Sequence, residues 1–155
     1  MSIESEPKRT KKRRFYQGYY IPKNPEKYVG DLTKIRFMSS WELQTHQFFD
    51  NNQKILKWSS EGIVVPYLNP LDKKMHRYYI DYWIEYTDAN GKLCRDLIEV
   101  KPKNQTKTSR AKNPRTKLYE DARYAINIAK WTAAKKFAAE HGWNFRILTE
   151  EQVFK

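Results

Sequence analysis

The sequence predicts a mixed α+β domain in which a central mixed β-sheet is flanked by helices. Three observations favour this class: a hairpin pattern in the middle of the chain, a helical pattern before it, and a long helical pattern with a final strand after it. Hydrophobic residues make up 39% of the 155 residues, enough for one core, and the chain is short for two domains. We therefore expect a single domain over residues 15–155.

Residues 1–14 carry six basic and two acidic residues and little that can be buried, so we expect a disordered basic arm. The whole chain has a net charge of +12 at pH 7, which attracts polyphosphates and makes nucleic acid the leading partner class. Its single cysteine, Cys94, cannot form an intrachain disulfide, which fits an intracellular compartment. No stretch approaches the roughly 20 apolar residues of a membrane span, so we expect a soluble protein without a membrane partner.

The first helix is expected from near Ser39 to about Asn52. The letters SSWE place a serine at the N-cap and Glu42 three residues later, the pattern of a capping box. Two apolar runs follow, KILKW and GIVVPYL, which indicate strands or a hairpin. Pro66 lies in the second run and has no N–H to donate, so that strand should be an edge or bulged strand.

The strongest hairpin pattern comes next. Aromatic and β-branched residues run from Tyr78 to Tyr86, the letters DANGK supply a turn, and the chain returns through residues 93–101. A second helix should begin at the Asn113-Pro114 pair and end near His141, before Gly142, and the letters WNFRILT indicate a last strand. The predicted apolar stripe of this helix comprises Leu118, Ala122, Ala125, Ile126, Ala129, Ala133 and Phe137.

The hairpin register decides whether two carboxylates meet. If the loop has three residues, 89–91, with Gly91 in the left-handed conformation, paired positions sum to 180 and Asp81 faces Glu99. A two-residue Asn-Gly turn would instead set Asp81 against Val100. Side chains alternate across a strand, so Lys101 shares the face of Glu99.

Two carboxylates beside a lysine form a candidate catalytic group. Like charges at this distance either share a proton or bind a cation, and hard oxygen ligands favour Mg²⁺ or Mn²⁺. Such an ion activates water and offsets the charge that grows on a phosphodiester, while Lys101 orients the attacking water. The expected reaction is therefore phosphodiester hydrolysis.

These residues resemble a family. Asp81 followed by Glu99-Val100-Lys101 after a hairpin looks like the PD-(D/E)XK nuclease signature, and the upstream helix with Glu42 is similar to that of TnsA-type transposon endonucleases. The blocks YIPKNPEKYVGD, SSWE, KWSSEGIVVPYLNPLDKKMHRYYIDYWIEY and LIEVKPKNQT, in this order, resemble the head-completion nucleases of tailed phages with contractile tails. The resemblance spans about residues 20–106.

The resemblance implies a restriction-endonuclease-like fold and metal-dependent DNA cleavage with little sequence specificity, during head completion after DNA packaging. It makes Asp81, Glu99 and Glu42 metal ligands and Lys101 the catalytic lysine. Head, portal or neck proteins would be partners, in the host cytoplasm during assembly and in association with the finished head. One position departs from the motif: Ile80 stands where the family has proline, a residue that shapes the strand rather than touching metal.

For three acidic or histidine residues, the sequence leaves two alternative roles open. Glu42 either caps the helix by reaching back to the Ser39 backbone or serves the metal site. His76 follows a turn and is either a surface residue or a general base. Glu61, beside Gly62, either belongs to a turn or faces the site.

From Lys101 to Lys117 there are seven Lys or Arg residues and no acidic residue. This segment is either a solvated linker or a clamp for the phosphate backbone, and the neighbouring candidate site favours the clamp. The alternative function is a non-catalytic DNA-binding head-completion protein that keeps the nuclease fold. The predicted DNA contacts are Lys103, Gln105, Lys107, Arg110, Lys112, Arg115 and Lys117.

Overall fold

A computed structural model describes residues 17–153, so the predicted arm at residues 1–14 lies outside the described residues. The helices are α1 (Ser40–Asn51), α2 (Pro114–Glu140) and α3 (Glu150–Val153), and short 3-10 turns span Pro25–Lys27 and Lys103–Thr106. The strands are β1 (Gly18–Tyr19), β2 (Arg36–Phe37), β3 (Ile55–Ser60), β4 (Val64–Leu68), β5 (Met75–Tyr79), β6 (Tyr82–Thr87), β7 (Leu93–Val100) and β8 (Asn144–Leu148).

Four strands form the central sheet in the order β3-β6-β7-β8. The pairs β3–β6 and β6–β7 are antiparallel and β7–β8 is parallel, so the sheet is mixed and the predicted fold class is confirmed. Strands β4 and β5 form a separate two-stranded hairpin, which agrees with Pro66 lying in an edge strand.

The sheet is covered on both faces, as the alternation of side chains along β6 and β7 requires. Ile84 and Ile98 point to one face, where they pack with Phe49 of α1 and with Trp58. Leu97 points to the other face, where α2 and the β4–β5 hairpin form a second cluster. This second cluster contains Val65, Tyr67, Tyr78, Ile80, Leu97, Ala134 and Ala138.

Helix α1 begins and ends as predicted. The Ser39 side chain accepts a hydrogen bond from the Glu42 backbone N–H at 3.1 Å, which satisfies one of the free donors of the first turn. At the other end, buried Asp50 accepts hydrogen bonds from the Tyr20 hydroxyl and the Lys23 N–H, which fix the segment before the helix. In residues 17–153, no helix is long and apolar enough to cross a membrane.

The aromatic run from Tyr78 to Tyr86 is not one strand, which corrects the sequence prediction. It is broken at Ile80 and Asp81: β5 pairs with β4, whereas β6 pairs with β3 and β7. The Ile80 N–H donates to the Ile63 carbonyl at 2.9 Å, so the chain is still held to the hairpin at the point where it enters the central sheet.

The buried face of α2 also differs from the predicted stripe. Leu118 is 73% exposed and Ala125 is also exposed, so neither contributes to the buried face of α2. Phe137, Ala129 and Ala133 are partly buried as expected. The residues of α2 that are fully buried are Asn127, Trp131, Ala134 and Ala138.

Candidate active site

The β6–β7 register is the one that the three-residue loop predicts. Trp83 pairs with Leu97 and Thr87 with Leu93, so paired positions sum to 180. The Asp88 N–H donates to the Lys92 carbonyl at 2.9 Å, and Gly91 has a left-handed φ of 77°. The loop length and the role of Gly91 are therefore confirmed.

This register brings Asp81 to the end of β7. Asp81 lies one residue before β6, and its Oδ2 accepts a hydrogen bond from the Val100 backbone N–H at 2.9 Å. The Lys101 N–H in turn donates to the Leu148 carbonyl of β8 at 2.9 Å. Backbone hydrogen bonds thus fix both the aspartate and the chain that carries Glu99 and Lys101.

Glu99 lies between two donors. Its Oε2 accepts a hydrogen bond from the Tyr78 hydroxyl, and its Oε1 lies 3.3 Å from the Lys101 Nζ. The Glu99 side chain is 6% exposed and that of Lys101 is 25% exposed. The carboxylate is therefore buried, while the Lys101 side chain is partly exposed.

Burial, followed by the charge of the neighbouring Glu99 carboxylate, raises the pKa of Asp81 well above its ordinary value of 3.8. The Val100 N–H and the Lys101 ammonium lower this pKa, but they do not offset the first two causes. Asp81 and Glu99 are close enough to hydrogen-bond, so Asp81 keeps its proton to a higher pH than a free aspartate does.

The three groups open into a cleft of about 300 Å³ between the end of β7 and the start of α1. Its floor and walls combine acidic, cationic and hydroxyl-bearing side chains, a mixture that suits a polar substrate. The lining residues that bear charge or an amide are Glu42, Glu61, Asp81, Glu99, Lys101 and Gln105.

Glu42 lies at the cleft, and its carboxylate also bonds the backbone just before α1, while its role as a metal ligand stays a prediction. It lines the cleft, and its Oε2 accepts a hydrogen bond from the Met38 N–H at 2.8 Å, one residue before the expected Ser39. Within residues 17–153, no group of three or more histidine, cysteine or acidic side chains is arranged to hold a metal ion. Glu42 therefore does not form a ready three-carboxylate cluster with Asp81 and Glu99.

The two other residues with alternative interpretations, Glu61 and His76, lie in different places. Glu61 lines the cleft and also forms a turn, with φ of 53° and its N–H donating to the Asp81 carbonyl at 3.0 Å. His76 lies on β5, where its Nε2 is 2.6 Å from Asp72 Oδ2, and it is not among the residues that line the cleft. Of its two readings, the surface residue fits the structure.

Sequence reasoning missed His46. Its Nε2–H donates to the Arg36 carbonyl at 2.9 Å, so its Nδ1 accepts from the Tyr82 hydroxyl at 2.6 Å. Burial lowers the pKa of His46, which keeps the ring neutral and favours a supporting role in the cleft wall. The spacing of four residues from Glu42, on one face of a helix, was the available signal.

Some of the basic residues between Lys101 and Lys117 are already paired with carboxylates. Lys103 forms an ion pair with Glu151 at 2.7 Å, and Lys117 pairs with Asp121 at 3.1 Å. Ser109 donates to Glu120 Oε2 at 2.5 Å, which ties the segment to α2. No carboxylate within the described part of the chain pairs with Lys107, Arg110, Lys112 or Arg115.

The donor set of the Asp81–Glu99 pair fits a hard divalent cation. Two adjacent carboxylates disfavour each other's charge, and a divalent cation bound between them would offset that repulsion. Carboxylate oxygens suit Mg²⁺ and Mn²⁺, which commonly use one or two carboxylates and complete their coordination with water and substrate phosphate. The two carboxylates therefore match the number of protein ligands that such an ion commonly uses.

A mixed sheet flanked by helices, with two carboxylates and a lysine meeting at the end of one hairpin, defines a nuclease domain of the restriction-endonuclease-like fold. The chain belongs to the TnsA-like endonuclease family, since residues 52–150 match the family described as TnsA-like endonuclease N terminal. It is also similar to the head completion nuclease of Enterobacteria phage T4. The two are 36% identical over 145 residues, which cover 88% of this chain and 92% of that protein. No solved structure matches the chain.

Proposed function

We propose that this chain is a DNA endonuclease dependent on Mg²⁺ or Mn²⁺, which hydrolyses phosphodiester bonds with little sequence preference during phage head completion. The observation that carries the proposal is the meeting of Asp81, Glu99 and Lys101 in one cleft. Family membership supports DNA as the substrate, and the name of the T4 relative supports the stage of assembly.

Each of the three residues has a distinct role. Asp81, just before β6, and Glu99, on β7, would hold the ion through their carboxylate oxygens. A bound Mg²⁺ lowers the pKa of a water ligand and offsets the charge that grows on the phosphodiester. Lys101 is partly exposed and anchored beside Glu99, so its ammonium orients the attacking water and stabilises the negative charge of the transition state.

The protein binds DNA through contacts with the phosphate backbone. Gln105 lines the cleft, and four cations without a carboxylate partner among the described residues follow it along the chain. These four are Lys107, Arg110, Lys112 and Arg115. Contacts of this kind position a duplex without reading its bases, which accounts for low sequence preference. The head, portal or neck proteins of the phage are the proposed protein partners, met in the host cytoplasm or on the finished head.

The test is a nicking assay on supercoiled and linear plasmid DNA with Mg²⁺, Mn²⁺ or EDTA. Wild-type protein is expected to cut with either metal and to lose activity in EDTA. Lys101→Ala should lower the rate by about 100-fold or more, the usual effect of losing a transition-state donor. Lys103→Ala is the matched control, because Lys103 is on the same segment but is paired with Glu151, and it should cut at nearly the wild-type rate.

A non-catalytic, DNA-binding head-completion protein is the second candidate, favoured by the absence of a three-acid metal cluster in residues 17–153. The same assay separates the two. Retarded migration of DNA without any metal-dependent cutting would support the second candidate and reject the nuclease.

A further inference from the structure

The β4–β5 hairpin supplies a side chain to the active site although it is not part of the central sheet. Tyr78 of β5 is 4% exposed, and its hydroxyl donates a hydrogen bond to Glu99 Oε2 across the boundary between the hairpin and β7. The hairpin therefore contacts the candidate metal-binding carboxylate directly.

The hydrogen bond fixes the orientation of that carboxylate. The Tyr78 hydroxyl bonds Oε2 and the Lys101 Nζ lies 3.3 Å from Oε1, so a quarter turn about the Cγ–Cδ bond moves both oxygens away from these partners. Glu99 is too buried for water to replace them readily. The carboxylate is thereby held beside Asp81, which is close enough to hydrogen-bond with it.

The Tyr78 ring is held in turn by α2. The Lys130 Nζ lies 5.4 Å from the centre of the Tyr78 ring and 5.7 Å from that of Tyr67. Tyr67 packs edge-on against Tyr78 at 6.4 Å and is 6% exposed. The two tyrosines thus share one environment, but only the Tyr78 hydroxyl is bonded to Glu99.

We propose that Tyr78 is a positioning residue for metal binding: its hydroxyl fixes the Glu99 carboxylate for the divalent cation. This inference rests on the proposed function. Groups that hydrogen-bond to metal ligands typically change metal affinity by about 10-fold to 100-fold when they are removed. Tyr78→Phe keeps the ring and removes only the hydroxyl, so it should weaken Mn²⁺ binding by about 10-fold.

The experiment measures Mn²⁺ binding directly, by electron paramagnetic resonance on DNA-free wild type, Tyr78→Phe and Tyr67→Phe. Tyr67→Phe is the control and should bind Mn²⁺ like the wild type. In cleavage assays, Tyr78→Phe should need about 10-fold more metal for half-maximal rate, while its KM for DNA stays unchanged because no phosphate contact is lost. Thermal melting establishes that both variants are folded at the assay temperature.

The outcomes distinguish this inference from the proposed function. A Tyr78→Phe variant whose Mn²⁺ affinity and metal requirement both lie within about twofold of the wild-type values, far below the roughly 10-fold expected, overturns the positioning role alone. Equal weakening in Tyr67→Phe also overturns it, because packing and not the hydroxyl would then be responsible. A wild-type protein that neither binds Mn²⁺ nor cuts DNA rejects the nuclease function itself.

Discussion

At the scale of single residues, the contacts of Ile80 explain why isoleucine is accommodated where the family motif has proline. Its N–H donates to the Ile63 carbonyl at 2.9 Å, and its side chain is 1% exposed in the core formed with α2. Proline has no N–H and would leave the Ile63 carbonyl without this donor. Isoleucine therefore serves packing and backbone pairing here, while the next residue, Asp81, keeps its place.

Replacing Ile80 with proline is therefore expected to destabilise the fold. The loss of a buried hydrogen bond and of side-chain volume should lower the free energy of unfolding by about 2 kcal/mol or more. Ile80→Val keeps the N–H and should cost only about 1 kcal/mol. Urea unfolding measures both values, and equal stability of Ile80→Pro and wild type would contradict this account.

Asp81 is expected to reduce stability when no metal is bound. Its pKa is raised in the folded state above 3.8, so folded protein binds more protons than unfolded protein. The free energy of unfolding should then fall as pH rises from about 4 through the raised pKa. An asparagine in place of Asp81 would carry no charge and could still accept from the Val100 N–H.

Asp81→Asn should therefore raise the free energy of unfolding of metal-free protein at pH 7, because it removes a buried charge that burial and Glu99 disfavour. Melting curves in EDTA between pH 4 and pH 8 provide the measurement. Wild type should gain stability on addition of Mg²⁺, because the ion binds only folded protein, and the variant should gain much less. A variant that is less stable than wild type in EDTA at pH 7 would contradict the assignment.

At the scale of elements, the loop between β6 and β7 aligns the two carboxylates. Gly91 adopts φ of 77°, and a Cβ at this position would meet open space. A substitution there is therefore opposed by the backbone conformation and not by a collision. The loop lies at the end of β6 that is far from Asp81. The loss of stability on substituting Gly91 can therefore be measured separately from any effect on cleavage.

Gly91→Ala should consequently lower the free energy of unfolding by about 1 kcal/mol and leave the cleavage rate unchanged. Gly142→Ala, with φ of 70° and open space around it, is the matched comparison and should cost a similar amount. Chemical denaturation and the nicking assay are the two readouts. A large loss of activity in folded Gly91→Ala would show that strain in the loop reaches the carboxylates at the other end of the hairpin.

The sequence predicts the hairpin register that brings Asp81 and Glu99 together better than it predicts the packing around them. Local patterns predict the α1 cap and the β6–β7 register, because turn residues and cross-strand pairs such as Trp83 with Leu97 specify them. The break at Ile80 was not predictable, because aromatic residues continue on both sides and the bond to Ile63 is a tertiary contact. Alanines on several faces of α2 likewise obscure which face is buried.

At the scale of the whole molecule, the net charge of +12 predicts salt-dependent DNA binding. Arg110 has no carboxylate partner in the described part of the chain, whereas Lys117 is paired with Asp121. Arg110→Gln should reduce the slope of log affinity against log salt by about 0.9, the effect of one lost phosphate contact. Lys117→Gln should reduce it less.

Fluorescence anisotropy on a duplex at several salt concentrations, with EDTA to prevent cutting, measures these slopes. Unchanged affinity and slope in Arg110→Gln would exclude Arg110 from the DNA contact surface. Equal effects of the two substitutions would indicate a diffuse positive field and not a defined clamp.

The most direct test of the account is metal-dependent cleavage of supercoiled DNA by Asp81→Asn beside wild type, with both proteins shown to be folded by their melting curves. The proposed site predicts that wild type nicks the plasmid in Mg²⁺ and not in EDTA. It predicts that the variant, although more stable without metal, does not cut. Cleavage by Asp81→Asn at the wild-type rate would contradict the placement of the metal between Asp81 and Glu99, and with it the proposed active site.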